Sequence, residues 1–416
     1  MNLHAPEPQR VRMSERRVST IGALMVILGP LSIALYTPAM PELAEAFGTT
    51  ESMIKLTLSS YFAGFALTQL VCGPLSDAYG RRPVTLIFMS LYVVASALAV
   101  FAPSVEMLIA ARFVQGIGAA VGVAVSRALV RDLFTGEASN RIMNLTVLII
   151  GVGPAVAPTL GGLLLETAGW KSIFVFMLAG GAAATLAIYF VLLETVQPDP
   201  ARFRPRALAH AYRTLLGDRY FILASLVLAG GVGAFYTQAT VLPFVLMGRA
   251  GLSPTEFGVG MLMQSLPFFF GGLVFRFMMR WASARSLVSI GIGFMVVGYT
   301  GVAISLSTIE PTLLSVMLPV VFFTFGVAFI LPALSTATVA PFPHMAGAAS
   351  SLSSFVQMGG GFAGGIVVAM MGDPVIGMAT IVPLMGWVAI LAWLAWRRLP
   401  EPALARVVLP PADEVV

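Results

Sequence analysis

Gly73-Pro74-Leu75-Ser76-Asp77-Ala78-Tyr79-Gly80-Arg81-Arg82-Pro83 is a short charged turn between two uncharged apolar runs, Leu56 to Leu75 and Val84 to Ala102. An apolar stretch of about 20 residues is long enough to cross a bilayer as a helix, so the turn reads as a loop between two membrane spans. The same reading places spans near Thr20 to Met40, Leu56 to Leu75, Val84 to Ala102, Val105 to Ser126, Ile142 to Leu165, Ser172 to Leu193, Tyr220 to Met247, Glu256 to Met278, Leu287 to Leu306, Leu313 to Leu334, Ala346 to Met371 and Val375 to Trp396. Composition agrees: the 416 residues are 58% hydrophobic and 10% charged, with a mean hydropathy of +0.92, against roughly 25% charged in a soluble domain. A water-soluble globule is excluded. Twelve spans use roughly 240 to 270 residues, leaving little for a separate soluble domain.

Basic residues test the count, because cytoplasmic loops of membrane proteins carry the excess of Lys and Arg. With both ends in the cytoplasm, 20 of the 24 basic residues fall in cytoplasmic segments, Lys55, Lys171 and Arg249 fall outside, and Arg112 falls within a span. Reading the first span as a cleaved signal peptide would break this alternation. The net charge of +5 would suggest an acidic partner only if the arginines clustered on one face. They are spread among loops, so no nucleic-acid partner is expected. Cys72, the only cysteine, lies in an apolar run and builds no disulfide or metal cluster.

Between Glu194 and Arg219 lies the longest polar stretch between spans, with Pro198, Pro200, Pro205 and five arginines counting Arg219. It divides the chain into a cytoplasmic tail (1–19), a six-helix bundle (20–195), a linker (196–218), a second six-helix bundle (219–398) and a second tail (399–416). Two helical halves of this kind are how a duplicated transporter is built, with substrate held near mid-membrane between them. Spans three, six and twelve are almost wholly apolar and suit lipid contact, whereas spans five and eleven are rich in small residues that permit close helix contact.

The glycine, aspartate, glycine and arginine spacing of 73–83 resembles the signature loop of the Major Facilitator Superfamily. The resemblance implies an all-α integral membrane fold of twelve helices in two pseudo-symmetric six-helix bundles. It also implies a cytoplasmic gate: Asp77 at the N-terminus of span eleven, where exposed amides favour an anion, and Arg81 paired with Asp132 beyond span four, with Arg82 and Arg127 beside them. Leu108 to Gly118 in span four matches a second motif of the superfamily. Its Arg112 costs roughly 2.5 to 3.5 kcal/mol in the bilayer unless it meets water or a partner, so it should face a cavity; snorkelling to the outer interface is the competing reading. Gly116 follows on the same face, and Gly118 pairs with Gly122 for a close helix approach. Gly151, Gly153, Pro154, Pro158, Gly161 and Gly162 in span five resemble the superfamily's export motif, although small-residue packing alone accounts for such a pattern.

Residues 29–195 look like the bicyclomycin and chloramphenicol/florfenicol resistance exporters, with a looser match in the second half around Pro341 to Gly347. That group usually carries an acid in span one, thought to exchange protons near the span-four arginine. Here the position is Ala34, and no acid lies well inside any span; Glu106, Glu166 and Asp373 come closest, near outer ends. A proton moving down about 150 mV supplies roughly 3.5 kcal/mol, about a 300-fold substrate gradient at 1.4 kcal/mol per decade. Without that acid the chain reads as uncoupled, coupled through another group, or blocked in its cycle.

Spans one, four, seven and ten line the cavity in the family fold. Candidate substrate-binding residues are Tyr36, Tyr61, Arg112, Phe235, Tyr236, Gln238 and Gln264, with Gln357 on span eleven. Arg112 without a deep acid favours a neutral or weakly anionic drug-like small molecule, with protons as a candidate co-substrate. A monomer in contact with membrane lipid is expected, with no cofactor and no metal. A membrane-embedded enzyme would need clustered metal ligands or a base beside a nucleophile, and His4, His210 and His344 all lie outside the spans. A channel would need a filter-like segment or polar ring.

Overall fold

Polar residues that interrupt the apolar runs set where helices begin. Thr50, Ser104, Asp218, Ser283, Thr312 and Asp373 each accept a backbone amide of the first turn that follows, satisfying donors that have no partner within the helix. The computed structural model describes residues 13–134 and 136–402; between 136 and 154 it describes the helix and, individually, only positions 141, 142 and 153. In chain order the helices are α1 (Glu15–Ala34), α2 (Met40–Ala46), α3 (Glu51–Tyr79), α4 (Arg81–Val100), α5 (Val105–Leu133), α6 (Gly136–Ala168), α7 (Trp170–Val191), α8 (Pro205–Gly217), α9 (Arg219–Pro243), α10 (Pro254–Gly260), α11 (Leu262–Met278), α12 (Ala284–Thr308), α13 (Leu313–Val339), α14 (Ala346–Met371) and α15 (Pro374–Trp396).

Among the described residues, eleven helical segments are long and apolar enough to cross a membrane. The expected fifth span falls within α6, 33 residues long, whose described apolar stretch is Ala155–Ala168. Three expected spans are not single helices. The first breaks after Ala34 into a 3-10 turn at Thr37–Ala39 and then α2, where Pro38 and Pro41 lack the amides that would continue the ladder. The seventh ends at Pro243 and continues as a π turn, Phe244–Arg249. The eighth is interrupted at Met261, between α10 and α11.

Two apolar cores form, one drawn from Met13 to Leu192 and one from Tyr220 to Trp396, with Ala239 and Phe244 reaching into the first. Within the linker, α8 turns Leu215 against Phe221, Ala349 and Leu352, and the Tyr212 hydroxyl donates to the Leu70 carbonyl of α3. Partial burial pushes the Tyr212 phenol up to about 12, so it remains a donor throughout the physiological range.

The first core depends on how closely α3 and α5 cross. A Cβ on Gly64 would collide with the Phe113 carbonyl, and one on Gly116 with the Tyr61 carbonyl. Gly118 and Gly122 do not serve one neighbour as expected: Gly118 faces Phe88 and Tyr92 on α4, and Gly122 faces Met25 on α1. Overpacking a tight site typically costs about 1 to 3 kcal/mol, and here the obstacle is backbone. Gly116→Ala should therefore lower the melting temperature of the detergent-purified protein, and Gly116→Leu should lower it further or prevent folding. An unchanged melting curve for both would contradict this crossing.

Candidate functional site

Arg112 is fully buried, 0% exposed. It is enclosed by neutral groups and does not face open space. One guanidinium nitrogen donates to Gln115 Oε1, another to the Ser32 carbonyl at 3.2 Å, and Nε has no partner. The Tyr36 and Tyr61 rings lie over it, with centroids 4.4 and 4.5 Å from Cζ. The surrounding polar groups are themselves held: Gln115 donates to Ser96 Oγ (2.8 Å), the Ser32 and Tyr92 hydroxyls bond at 2.7 Å, Tyr61 donates to the Gly29 carbonyl (3.1 Å), and Tyr36 bonds Thr57. Stacked aromatic faces and carbonyl oxygens attract a cation without a full counter-charge. Ala34 stands in the last turn of α1, two residues beyond Ser32, and Thr37 Oγ1 donates to its carbonyl at 2.9 Å.

Sequence reasoning missed Ser32, Tyr92, Ser96 and Gln115. Gln115 alone left a signal, its i,i+3 spacing from Arg112.

The other predicted pocket residues divide into two groups. Gln238 Nε2 donates to Gln264 Oε1 at 2.8 Å; both are buried, and Gln238 Oε1 is without a partner. Phe235 packs on Phe268 (6.4 Å) and on Tyr236, and Tyr236 meets Phe62 of the first half at 5.2 Å. Gln357 makes no hydrogen bond to this group among the described residues. Its side chain bonds back to Ser353 in its own helix.

At the end of the molecule where α3 finishes, Arg81 gathers three partners. Its Nε lies 3.1 Å from Asp132 Oδ2, Nη1 lies 2.6 Å from Ser76 Oγ, and Nη2 pairs with Asp77. Asp77 turns back to Arg81, one turn along its own chain, and the first turn of α14 has no side-chain cap, so the expected Asp77 contact there is not made. The carboxylate that does cap a helix here is Glu194. Its Oε1 and Oε2 accept the Arg81 and Arg82 amides at 2.9 and 3.1 Å, and Oε1 also accepts from Thr195 and Val196. Gly80 makes room for it: its φ is +98°, and a Cβ would meet Glu194 Oε2 at 2.5 Å. Arg82 lies apart from the Asp77–Arg81–Asp132 group, on the Tyr189 ring and carbonyl. Arg127 reaches the second half instead, at Ser350 Oγ (3.5 Å). An open cleft of about 430 Å³ lies over the group, lined by Pro74, Asp77, Arg81, Arg131, Asp132, Val196 and Arg202.

At the opposite end, α6 of the first half meets α10 of the second. A Cβ on Gly162 would collide with the Pro254 carbonyl, and one on Gly258 would meet the Pro158 carbonyl at 2.6 Å and Thr159 at a similar distance. Glu166 accepts the Thr255 amide and hydroxyl at 3.0 and 2.8 Å. Gly161 faces the other way, against Leu35 and Pro38. Gly153 has only an ordinary contact with Ile27, and Gly151 and Pro154 lie outside the described residues.

The two halves meet at both ends, and the buried cation lies inside the first of them. Residues 22–365 match the family model described as Major Facilitator Superfamily. The chain belongs to this superfamily. It is 29% identical over 385 residues to Multidrug resistance protein D of Escherichia coli (strain K12), covering 89% of this chain and 93% of that one. It is 31% identical over 342 residues to a chloramphenicol resistance protein of Pseudomonas aeruginosa, covering 82% and 80%. The crystal structure of a D-xylose–proton symporter superposes with a TM-score of 0.73 at 15% identity, covering 93% of this chain and 98% of that one, which shows the shared transporter fold. This is a multi-pass membrane transporter of the superfamily.

The Glu194 cap should be measurable. Glu194→Ala removes the acceptor for four amides and is expected to cost about 0.5 to 2 kcal/mol in detergent unfolding experiments, whereas Glu45→Ala, exposed and without a side-chain partner, should be neutral. Equal stability of the two variants would contradict the capping role.

Proposed function

We propose that this chain is a monomeric exporter of drug-like small molecules across the bacterial cytoplasmic membrane, working by alternating access with twelve spans and both termini in the cytoplasm. The observation that carries the reading is similarity over 89% and 82% of this chain to relatives named for multidrug and chloramphenicol resistance. In this reading the bundles are 20–195 and 219–398, embedded in lipid. The Arg81 end faces the cytoplasm, where Asp77, Arg81 and Asp132 brace the first half internally and Arg127, reaching Ser350, meets the second. The α6–α10 contact then closes the outer end, with Gly162 and Pro158 of the export motif in it. No cofactor or metal has a part, and the chemistry is transport without catalysis.

The unpartnered Arg112 Nε and Gln238 Oε1 are both shut from open space in this state; uncovered during the transport cycle, they would suit a neutral or weakly anionic substrate offering both a hydrogen-bond acceptor and a donor. A buried group without a partner favours a ligand that supplies one. The neutral cage around Arg112 supports the view that this chain does not couple protons through span one.

A susceptibility panel in an efflux-deficient bacterial host tests the function, with chloramphenicol as first probe. Expression should raise resistance, by saturable efflux that a second substrate competes. Unchanged susceptibility across neutral and weakly anionic drugs, or persistent single-channel currents, would contradict it. Coupling is tested in proteoliposomes by drug-driven proton release from this chain and from Ala34→Asp. Greater release from Ala34→Asp is expected, and equal release would remove any special importance of position 34.

A further inference from the structure

Lys55 is one of two lysines in the chain, the other being Lys171. It stands in the second turn of α3 with its side chain 0% exposed. Its Nζ lies 3.4 Å from Glu51 Oε2 on the same helix, 3.4 Å from the Gly372 carbonyl that follows α14, and 5.1 Å from the centroid of the Phe244 ring at the start of the π turn. One ammonium therefore touches the first half and two separate elements of the second. One turn further along α3, Ser59 Oγ presses on Gly365 of α14 with no room for a methyl group, so this is the beginning of a closely packed seam.

Lys55 is poorly compensated for a buried charge. Charge-assisted hydrogen bonds run about 2.7 to 2.9 Å, and both of its oxygen contacts are longer. The charged groups that act on it are Glu51 on its own helix, Asp373 at the start of α15 and Arg249 at the end of the π turn. Asp373 is committed to the Val375 and Ile376 amides, and Arg249 repels. Glu42 on the neighbouring α2 is taken by the Trp170 amide. Burying an ammonium disfavours its charged form unless partners replace the lost water; parting the halves would return that water.

We propose that Lys55 is a proton-binding site coupled to this seam: separation of the halves hydrates the amine and lets it take up a proton from the adjoining water, and closure expels that proton. The exchange is Lys–NH2 plus H+ to Lys–NH3+, with no other reactant. Acid favours the open seam and alkali the closed one, since protons favour whichever state binds them better. The proposal rests on the alternating-access reading above, and it gives protons a place in a cycle that lacks the span-one acid.

The test needs no substrate, so its failure is distinct from a failure of the export reading. With Cys72→Ser as background, spin labels at Glu45→Cys and Ile376→Cys, both exposed at this end, report the seam by pulsed electron paramagnetic resonance in nanodiscs. The long-distance population should grow as pH falls, and Lys55→Met should keep the distance short at every pH. The same pH response in Lys55→Met, or none in the parent, would overturn the proposal. Should Lys55→Met fail to fold, Lys171→Arg leaves a single lysine for ε-13C resonance. Its titration midpoint should fall below about 10.4, the value of a free lysine, whereas an ordinary or raised midpoint would overturn the proposal equally.

Discussion

A guanidinium shut inside a helical bundle must find substitutes for every water it gives up, because an uncompensated buried charge costs several kcal/mol. Arg112 imposes that demand on the first half of the molecule. The Gly64 and Gly116 crossing brings α3 close enough to α5 for the Tyr61 ring to lie on the guanidinium. The end of α1 supplies the Ser32 carbonyl, and Ser96 on α4 anchors Gln115. Four helices are thus held in register around one cation, and among the described residues no carboxylate is part of its shell.

The two ends of the molecule use one device twice. A carboxylate from a distant part of the chain accepts the free amides at a helix N-terminus, Glu194 on α4 and Glu166 on α10, where the helix dipole also favours an anion. The Glu166 contact joins the two halves. The Glu194 contact ties the last stretch of the first half to the loop whose arginine holds Asp132. Disturbing Glu194 therefore bears on the Arg81 group without touching it.

Much of this was legible in the sequence. Apolar run length pointed to the helices, and the resemblance of 73–83 to the superfamily's signature loop, rather than local chemistry, pointed to the pairing of Arg81 with Asp132. Helix breaks at Ala34 and Met261 were not legible, since a run of apolar residues reads the same whether the backbone is continuous or bent. Glu194 and Glu166 were hidden for another reason: their amide partners lie 112 or 113 and 89 positions away. Lys55 read as an ordinary loop cation because the groups of the second half that lie on it, the Phe244 ring of the π turn and the Gly372 carbonyl after α14, are far from it in sequence.

The view that this chain does not couple protons through span one rests on Arg112 being held by neutral groups of its own bundle. A double-mutant cycle on Arg112→Leu and Gln115→Leu, read as unfolding free energy in detergent, tests this most directly. The two changes should be coupled by about 0.5 to 3 kcal/mol, as expected for residues in one network. Additivity to within about 0.5 kcal/mol would mean that Gln115 does not hold the guanidinium, and would contradict the account.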